Sequence, residues 1–280
     1  MAGLLDGLAS LGLGNLESAD IFAEEKKNVS RPEQKVAVVK TVEETDLIYD
    51  KEYVCPVCNK AFIAKIMKNG KAKLVGTDPD LRPKYEAIDS GKYDVLMCGR
   101  CGYAALARYF PTVLPAQAKL IKENISSKIK LTKYDDPTYG YPQALERYKI
   151  ALANAVVKRA KVSEKSYICL KTAWLLRGQR EELEAKGVTG AEIESLANQE
   201  EEYLKNAYSG FVEARAKESF PIAGMDTTTL DYMLAQLAFK FGDYDSSLKL
   251  VAGIITSPCN ERIKNKARDL KEQINNAKKS

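Results

Sequence analysis

Histidine is missing from all 280 residues. That single absence excludes serine and cysteine triads with an imidazole base, histidine-bearing catalytic zinc sites, two-histidine-one-carboxylate iron sites and HExxH proteases. The chain also lacks a GxxxxGK[ST] run to cradle a nucleotide, and no GxGxxG follows a strand-like segment. Nor does any stretch approach the roughly 20 apolar residues of a membrane span. The opening "MAGLLDGLASLGLGNL" is apolar, but it has no basic n-region, carries Asp6 and is interrupted by glycines, unlike a signal peptide. These absences predict a soluble, cytoplasmic protein that is not an enzyme.

Charge is plentiful but nearly cancels in total, and it is uneven in placement. The formal net charge is +5, yet residues 1–50 hold 5 basic and 10 acidic side chains, whereas residues 51–110 hold 11 basic and 6 acidic. Residues 111–260 are nearly balanced, and residues 261–280 are basic again. An acidic arm thus precedes a basic module. Two readings stay open: both segments are simply solvated, or the arm folds back on the module or competes there with an acidic partner.

Cysteine is concentrated. "YVCPVCNKAF" and "MCGRCGYAAL" place Cys55 and Cys58, then Cys98 and Cys101, as two C-x2-C pairs with 39 residues between them. Each two-residue spacing lets both sulfurs face one ion, so four thiolates close a tetrahedron and predict one structural zinc ion. Asn59 and Gly102 follow the two pairs and tolerate the left-handed backbone of a tight knuckle. A thioredoxin-type pair accounts for one C-x2-C but not for the second, and disulfides are disfavoured in a reducing compartment. Cys169 and Cys259 stand apart, and Cys169 reads as a buried thiol.

Between the pairs, "AFIAKIM" (61–67) and "KAKLVG" (71–76) read as strands flanking Asn69-Gly70, which predicts a hairpin. A third strand, "YDVLM" (93–97), leads into the second pair. The loop "TDPDLRPKY" carries Asp78, Asp80 and Arg82. An Asp-x-Asp pair can hold a divalent ion, but the prolines favour turn chemistry with an aspartate–arginine ion pair.

From residue 111 the periodicity changes. Leu114, Ala118, Ile121, Ile125 and Ile129 fall at helical spacing, with Pro115 in the first turn; Ala144, Tyr148, Ala151 and Ala155 repeat the pattern. Further helices are predicted at about 164–184, 190–218, 228–241, 244–256 and 260–277. Within "LDYMLAQLAFKFGDYDSSLKLVAGIITSP", Leu234, Ala235, Gly242, Tyr244, Ser247 and Pro258 fit a tetratricopeptide unit. The small positions around Ala144, Ala207 and Ser247 are not evenly spaced, so the repeat is degenerate. Stacked helix pairs leave a groove that suits a protein partner; a compact bundle with no groove in use is the alternative. Trp174 reads as core. The fold class predicted is α+β: a small zinc-ribbon-like β module over 51–110, after an acidic arm over 1–50, followed by an all-α tetratricopeptide-like helical-repeat domain over 111–280.

"DKEYVCPVCNKAF", "DLRPKY", "YDVLMCGRCGYAAL", "QALERYKIALANAVVKRAK" and "AWLLRG" together resemble the bacterial family known as domain of unknown function 2225, over about residues 46–275. Its usual second knuckle reads CPxCGYA, whereas Gly99 and Arg100 stand in the middle here; the cysteines and Gly102-Tyr103-Ala104 are kept. The resemblance implies a zinc-ribbon-like module joined to a tetratricopeptide-like domain and supplies no activity. Two functions follow as expectations. In the first, the protein is a non-enzymatic adaptor with a protein partner in its helical groove and an amphipathic start (Leu4, Leu5, Leu8, Leu11) that docks as a short helix. In the second, the zinc module contacts nucleic acid through Lys65, Lys68, Lys71, Lys73 and Arg82, helped by Lys264, Lys266, Arg268 and Lys271. An enzyme using Asp78 and Asp80 on a metal comes third, lacking a base.

Overall fold

A computed structural model of the chain describes residues 42–132, 134 and 136–279. The amphipathic start and most of the acidic arm lie outside the described residues.

Among the described residues, three antiparallel strand pairs precede the helices: β1 (Ile48–Val54) with β2 (Ala61–Met67), β3 (Leu74–Thr77) with β4 (Pro83–Tyr85), and β5 (Val95–Met97) with β6 (Ala104–Leu106). The hairpin expected across Asn69-Gly70 is not formed. Gly70 does turn, at φ +68°, but β2 runs back along β1 in unbroken register from Ile48↔Met67 to Val54↔Ala61. The reason is length. β1 offers seven residues rich in Ile, Tyr and Val, whereas β3 offers four exposed ones that reach only β4. β1 begins inside the segment read as the acidic arm, and its alternation was obscured by the charged run Asp50-Lys51-Glu52.

Seven α-helices follow among the described residues: α1 (Pro115–Ile121), α2 (Tyr141–Val157), α3 (Val162–Ala185), α4 (Ala191–Lys217), α5 (Thr227–Lys240), α6 (Tyr244–Thr256) and α7 (Glu261–Ala277). Pro115 occupies the first turn of α1, and one π turn, Lys122–Ser126, continues it. Asp226, Asp243 and Asn260 cap α5, α6 and α7 by accepting from Thr229, Ser246 and Arg262 backbone N–H groups. Gly242, at φ +77°, turns α5 into α6, and buried Ser247 donates to the Ala235 carbonyl at 2.7 Å, pinning the two helices.

The strands and helices share apolar surface. Val95, Met97, Ala104 and Leu106 of β5 and β6 lie in one cluster with Ala144, Tyr148, Ile168 and Leu175 of α2 and α3. A second cluster joins α3, α4 and α5 around Leu170, Phe211 and Leu230, and a third closes α5, α6 and α7 around Val251 and Leu270. Trp174 is half-buried against the second, its indole N–H donating to Asp80 at 3.1 Å.

Candidate metal centre and helical groove

Each C-x2-C sits at the turn of a strand pair, so two separate strand pairs build the site. β1 ends at Val54 and β2 begins at Ala61, with Cys55 and Cys58 between them; β5 ends at Met97 and β6 begins at Ala104, with Cys98 and Cys101 between them. The two turns repeat one another. Asn59 N–H donates to the Cys55 carbonyl at 2.8 Å and Cys55 N–H to Lys60 at 3.0 Å; Gly102 N–H donates to the Cys98 carbonyl at 3.0 Å and Cys98 N–H to Tyr103 at 2.9 Å. Asn59 and Gly102 both take positive φ, 55° and 71°. Gly102 has a second reason to lack a side chain: a Cβ there would lie 2.8 Å from Ile129.

The four sulfurs all lie within 4.8 Å of one another, with Cys55 and Cys101 3.6 Å apart and Cys58 and Cys98 3.7 Å apart. This cluster can hold a metal ion. Its electrostatics suit a cation: Cys98 is held as a thiolate far below the ordinary thiol range by hydrogen bonds from Cys101 and Cys55. Cys101 is pushed upward because it is paired with Cys55 and Cys98 and because it is buried. Crowded, buried thiols compete for protons, and a bound cation relieves the competition by replacing them.

Aromatic rings close the centre off. Tyr103 is fully buried, donates to the Phe110 carbonyl at 3.0 Å and lies 4.8 Å from the Phe110 ring; Phe62 and Tyr53 continue the cluster. Fully buried Asn154 on α2 donates to the Gly102 carbonyl at 3.0 Å, tying the second knuckle to the helices. Sequence reading passed over Asn154, although a lone amide on an otherwise apolar helix stripe marks such a tie.

Asp78, Asp80 and Arg82 do form ion pairs, in a larger network than the loop alone provides. Arg82 is 6 % exposed and contacts Asp78 at 3.5 Å, Asp89 at 3.5 Å and Glu181 at 3.1 Å. Arg177 on α3 contacts Asp78 at 3.0 Å, Asp80 at 2.7 Å and Glu200 at 2.8 Å. Burial opposes the charge on Arg177, but Asp80 and Glu200 more than offset it and push its pKa up. Arg82 therefore faces inward, away from any phosphate outside. Of the other basic candidates, Lys65 pairs with Asp50 at 3.1 Å, Lys68 donates to the Asp46 carbonyl at 2.8 Å, and Lys73 pairs with Glu86 at 3.3 Å. Lys71 is exposed in the turn before β3. On α7, Lys264 and Arg268 pair with Glu261, and Lys266 reaches Thr77.

A second feature lies on the helices. α2 and α4 both pack on α3, and between them opens a groove of about 560 Å³ floored by Leu152, Val156, Val162, Cys169 and Tyr203. Cys169 is buried there, and burial pushes its thiol up to about 11, which makes it inert as a nucleophile near neutral pH. Among the described residues, no helix is long and apolar enough to cross a membrane.

No curated protein and no solved structure matches the chain. The model of one family does, from Ile48 at the start of β1 to Ile274 near the end of α7, and so takes in the four-cysteine cluster and the groove together; the chain belongs to that family, described as uncharacterized protein conserved in bacteria (DUF2225).

Proposed function

We propose that the protein is a cytoplasmic, non-enzymatic adaptor in which a zinc-ribbon-like module rigidifies a tetratricopeptide-like helical domain, and the helical groove takes a segment of a protein partner. Zinc is favoured by ligand chemistry. Four sulfurs about 2.3 Å from a tetrahedral ion lie about 3.8 Å apart, close to the 3.6 and 3.7 Å separations of Cys55–Cys101 and Cys58–Cys98. Four cysteine ligands leave no open position, so the ion's role is to hold β1–β2 against β5–β6 rather than to activate water. The metal-enzyme reading weakens because Arg177 engages both Asp78 and Asp80. The nucleic-acid reading weakens because four of its five proposed contacts, all but Lys71, are bound to the protein's own oxygens.

The observation that carries the adaptor reading is the groove, where Val156 is left 58 % exposed on a helix that is otherwise well packed. A photo-crosslinking side chain at position 156 is expected to capture a defined partner in bacterial lysate, and one at exposed Val75 on β3 is not. Identical capture patterns from the two positions would refute the reading.

A further inference from the structure

The groove has a polarity that specifies its occupant. Its α2 and α3 walls carry Lys149 and Lys165, and among the described residues neither has a carboxylate within ion-pair distance, although Lys165 lies near enough to Glu213 to influence it. Several other lysines on or beside these helices are paired: Lys158 with Glu164, Lys171 with Asp94 and Lys205 with Glu201. The α4 wall carries Gln199, Glu202 and Asn206 instead. Gln199 donates its amide to Ser195 at 3.2 Å and Asn206 donates to the Glu202 carbonyl at 2.9 Å, which leaves both amide oxygens as acceptors. The α2 and α3 side thus offers unpaired cations, the α4 side offers acceptors, the Glu202 carboxylate among them, and the floor between them is apolar. The volume of about 560 Å³ falls within the roughly 300–1,000 Å³ typical of pockets that take discrete ligands.

From this complementarity we infer that the groove recognises an acidic peptide segment of a partner protein with an apolar residue at its centre. The segment's carboxylates meet Lys149 and Lys165, its apolar side chain seats over Leu152 and Val156, and its backbone N–H groups face Gln199 and Asn206 on α4. The inference rests on the adaptor reading. It adds the chemistry of the bound segment and its orientation across α2, α3 and α4. The lysines steer an acidic chain to the groove, and the apolar floor retains it.

The test uses the full metal-loaded chain and fluorescent peptides with Gly-Ser flanks around Glu-Leu-Glu, Gln-Leu-Gln or Lys-Leu-Lys cores, read by anisotropy. The acidic core is expected to bind at least about tenfold tighter than the neutral one, with the advantage shrinking as salt rises. Lys149→Gln with Lys165→Gln should erase the preference, and Lys149→Glu with Lys165→Glu should invert it toward the basic core; circular dichroism and metal content verify that both variants fold. Equal binding of the three cores, or a preference that survives charge inversion, overturns the inference. The adaptor reading is judged separately. A partner crosslinked at position 156 equally well by wild type and by the charge-inverted variant leaves that reading standing while the acidic-segment inference falls. No capture at position 156 by any variant overturns the adaptor reading itself.

Discussion

At the residue scale, six cysteines divide by what surrounds each sulfur. Cys55, Cys58, Cys98 and Cys101 share one cluster, whereas Cys169 is buried among Leu170, Phe211 and Leu230 with, among the described residues, no second cysteine in its cluster, and Cys259 lies beyond the end of α6. Two substitutions of the same size therefore diverge. Cys98→Ser removes one of the four clustered sulfurs, so bound metal is expected to fall from one ion per chain to near zero, with loss of near-ultraviolet signal from Tyr103 and its neighbours. Cys169→Ser puts a hydroxyl into an apolar site, costs about 1–3 kcal/mol and keeps the metal. Elemental analysis beside a denaturant titration separates the cases; metal retained by Cys98→Ser would break the four-sulfur assignment. The four-cysteine cluster was legible in the sequence because the identical spacings and the absence of histidine left few other uses for four paired thiols. Asn154 was not legible, because its partner, the Gly102 carbonyl, is a backbone atom that folding alone brings near.

At the element scale, the helices were legible and the strand pairing was not. α3 through α7 begin and end within about three residues of the periodicity-based limits, since each carries a long apolar stripe and most have a capping Asp or Asn. The strands are three to seven residues long, too short for alternation to choose between partners, and the cysteine turns that join β1 to β2 and β5 to β6 resemble no common hairpin turn. The ion network escaped notice for a related reason: Asp78 and Asp80 lie nearly a hundred positions from Arg177. It joins the β3–β4 turn to α3 and α4, and its energetics follow from burial. Arg177→Met leaves Asp80 desolvated without its cation and Glu200 with Arg180 as its main partner, an expected loss of about 3–5 kcal/mol at pH 7. Burial alone would raise the Asp78 pKa, but hydrogen bonds from Lys84 and Arg177 reverse this and the net shift is downward. A carboxyl depressed in the folded state stabilises above its unfolded value, about 4, and loses that contribution as pH falls through the folded value. The wild-type advantage over Arg177→Met should therefore narrow between pH 7 and pH 3. Thermal melts across that window measure it, and a gap that stays constant or widens contradicts the assignment.

At the scale of the whole molecule, the strand pairs and the helices behave as layers with one shared core, which gives metal removal a graded effect. Val95, Met97, Ala104 and Leu106 cover the faces of α2 and α3, Tyr148 donates to the Gly91 carbonyl at 3.0 Å, and Asn154 reaches the second knuckle. Loosening the cysteine centre thus uncovers apolar surface on α2 and on the neighbouring face of α3. The opposite end is less tied to the strands: among the described residues, the cluster of Tyr232, Val251, Ile254, Leu270 and Ile274 is built within α5, α6 and α7, with Leu81 its one apolar neighbour from the strand region beside the Lys266–Thr77 contact. Chelation of the intact chain is therefore expected to strip hydrogen-exchange protection from β1, β2, β5, β6 and then α2, while α5 through α7 keep theirs and most helical circular dichroism persists. Because the groove uses α2 as one wall, the same treatment should weaken binding of the acidic peptide without any ligand of the metal touching it. Uniform loss of protection through α7 would mean that the core is one cooperative unit. Unchanged α2 protection would mean that the metal centre supports only its own knuckles, and the groove's dependence on it would then fail as well.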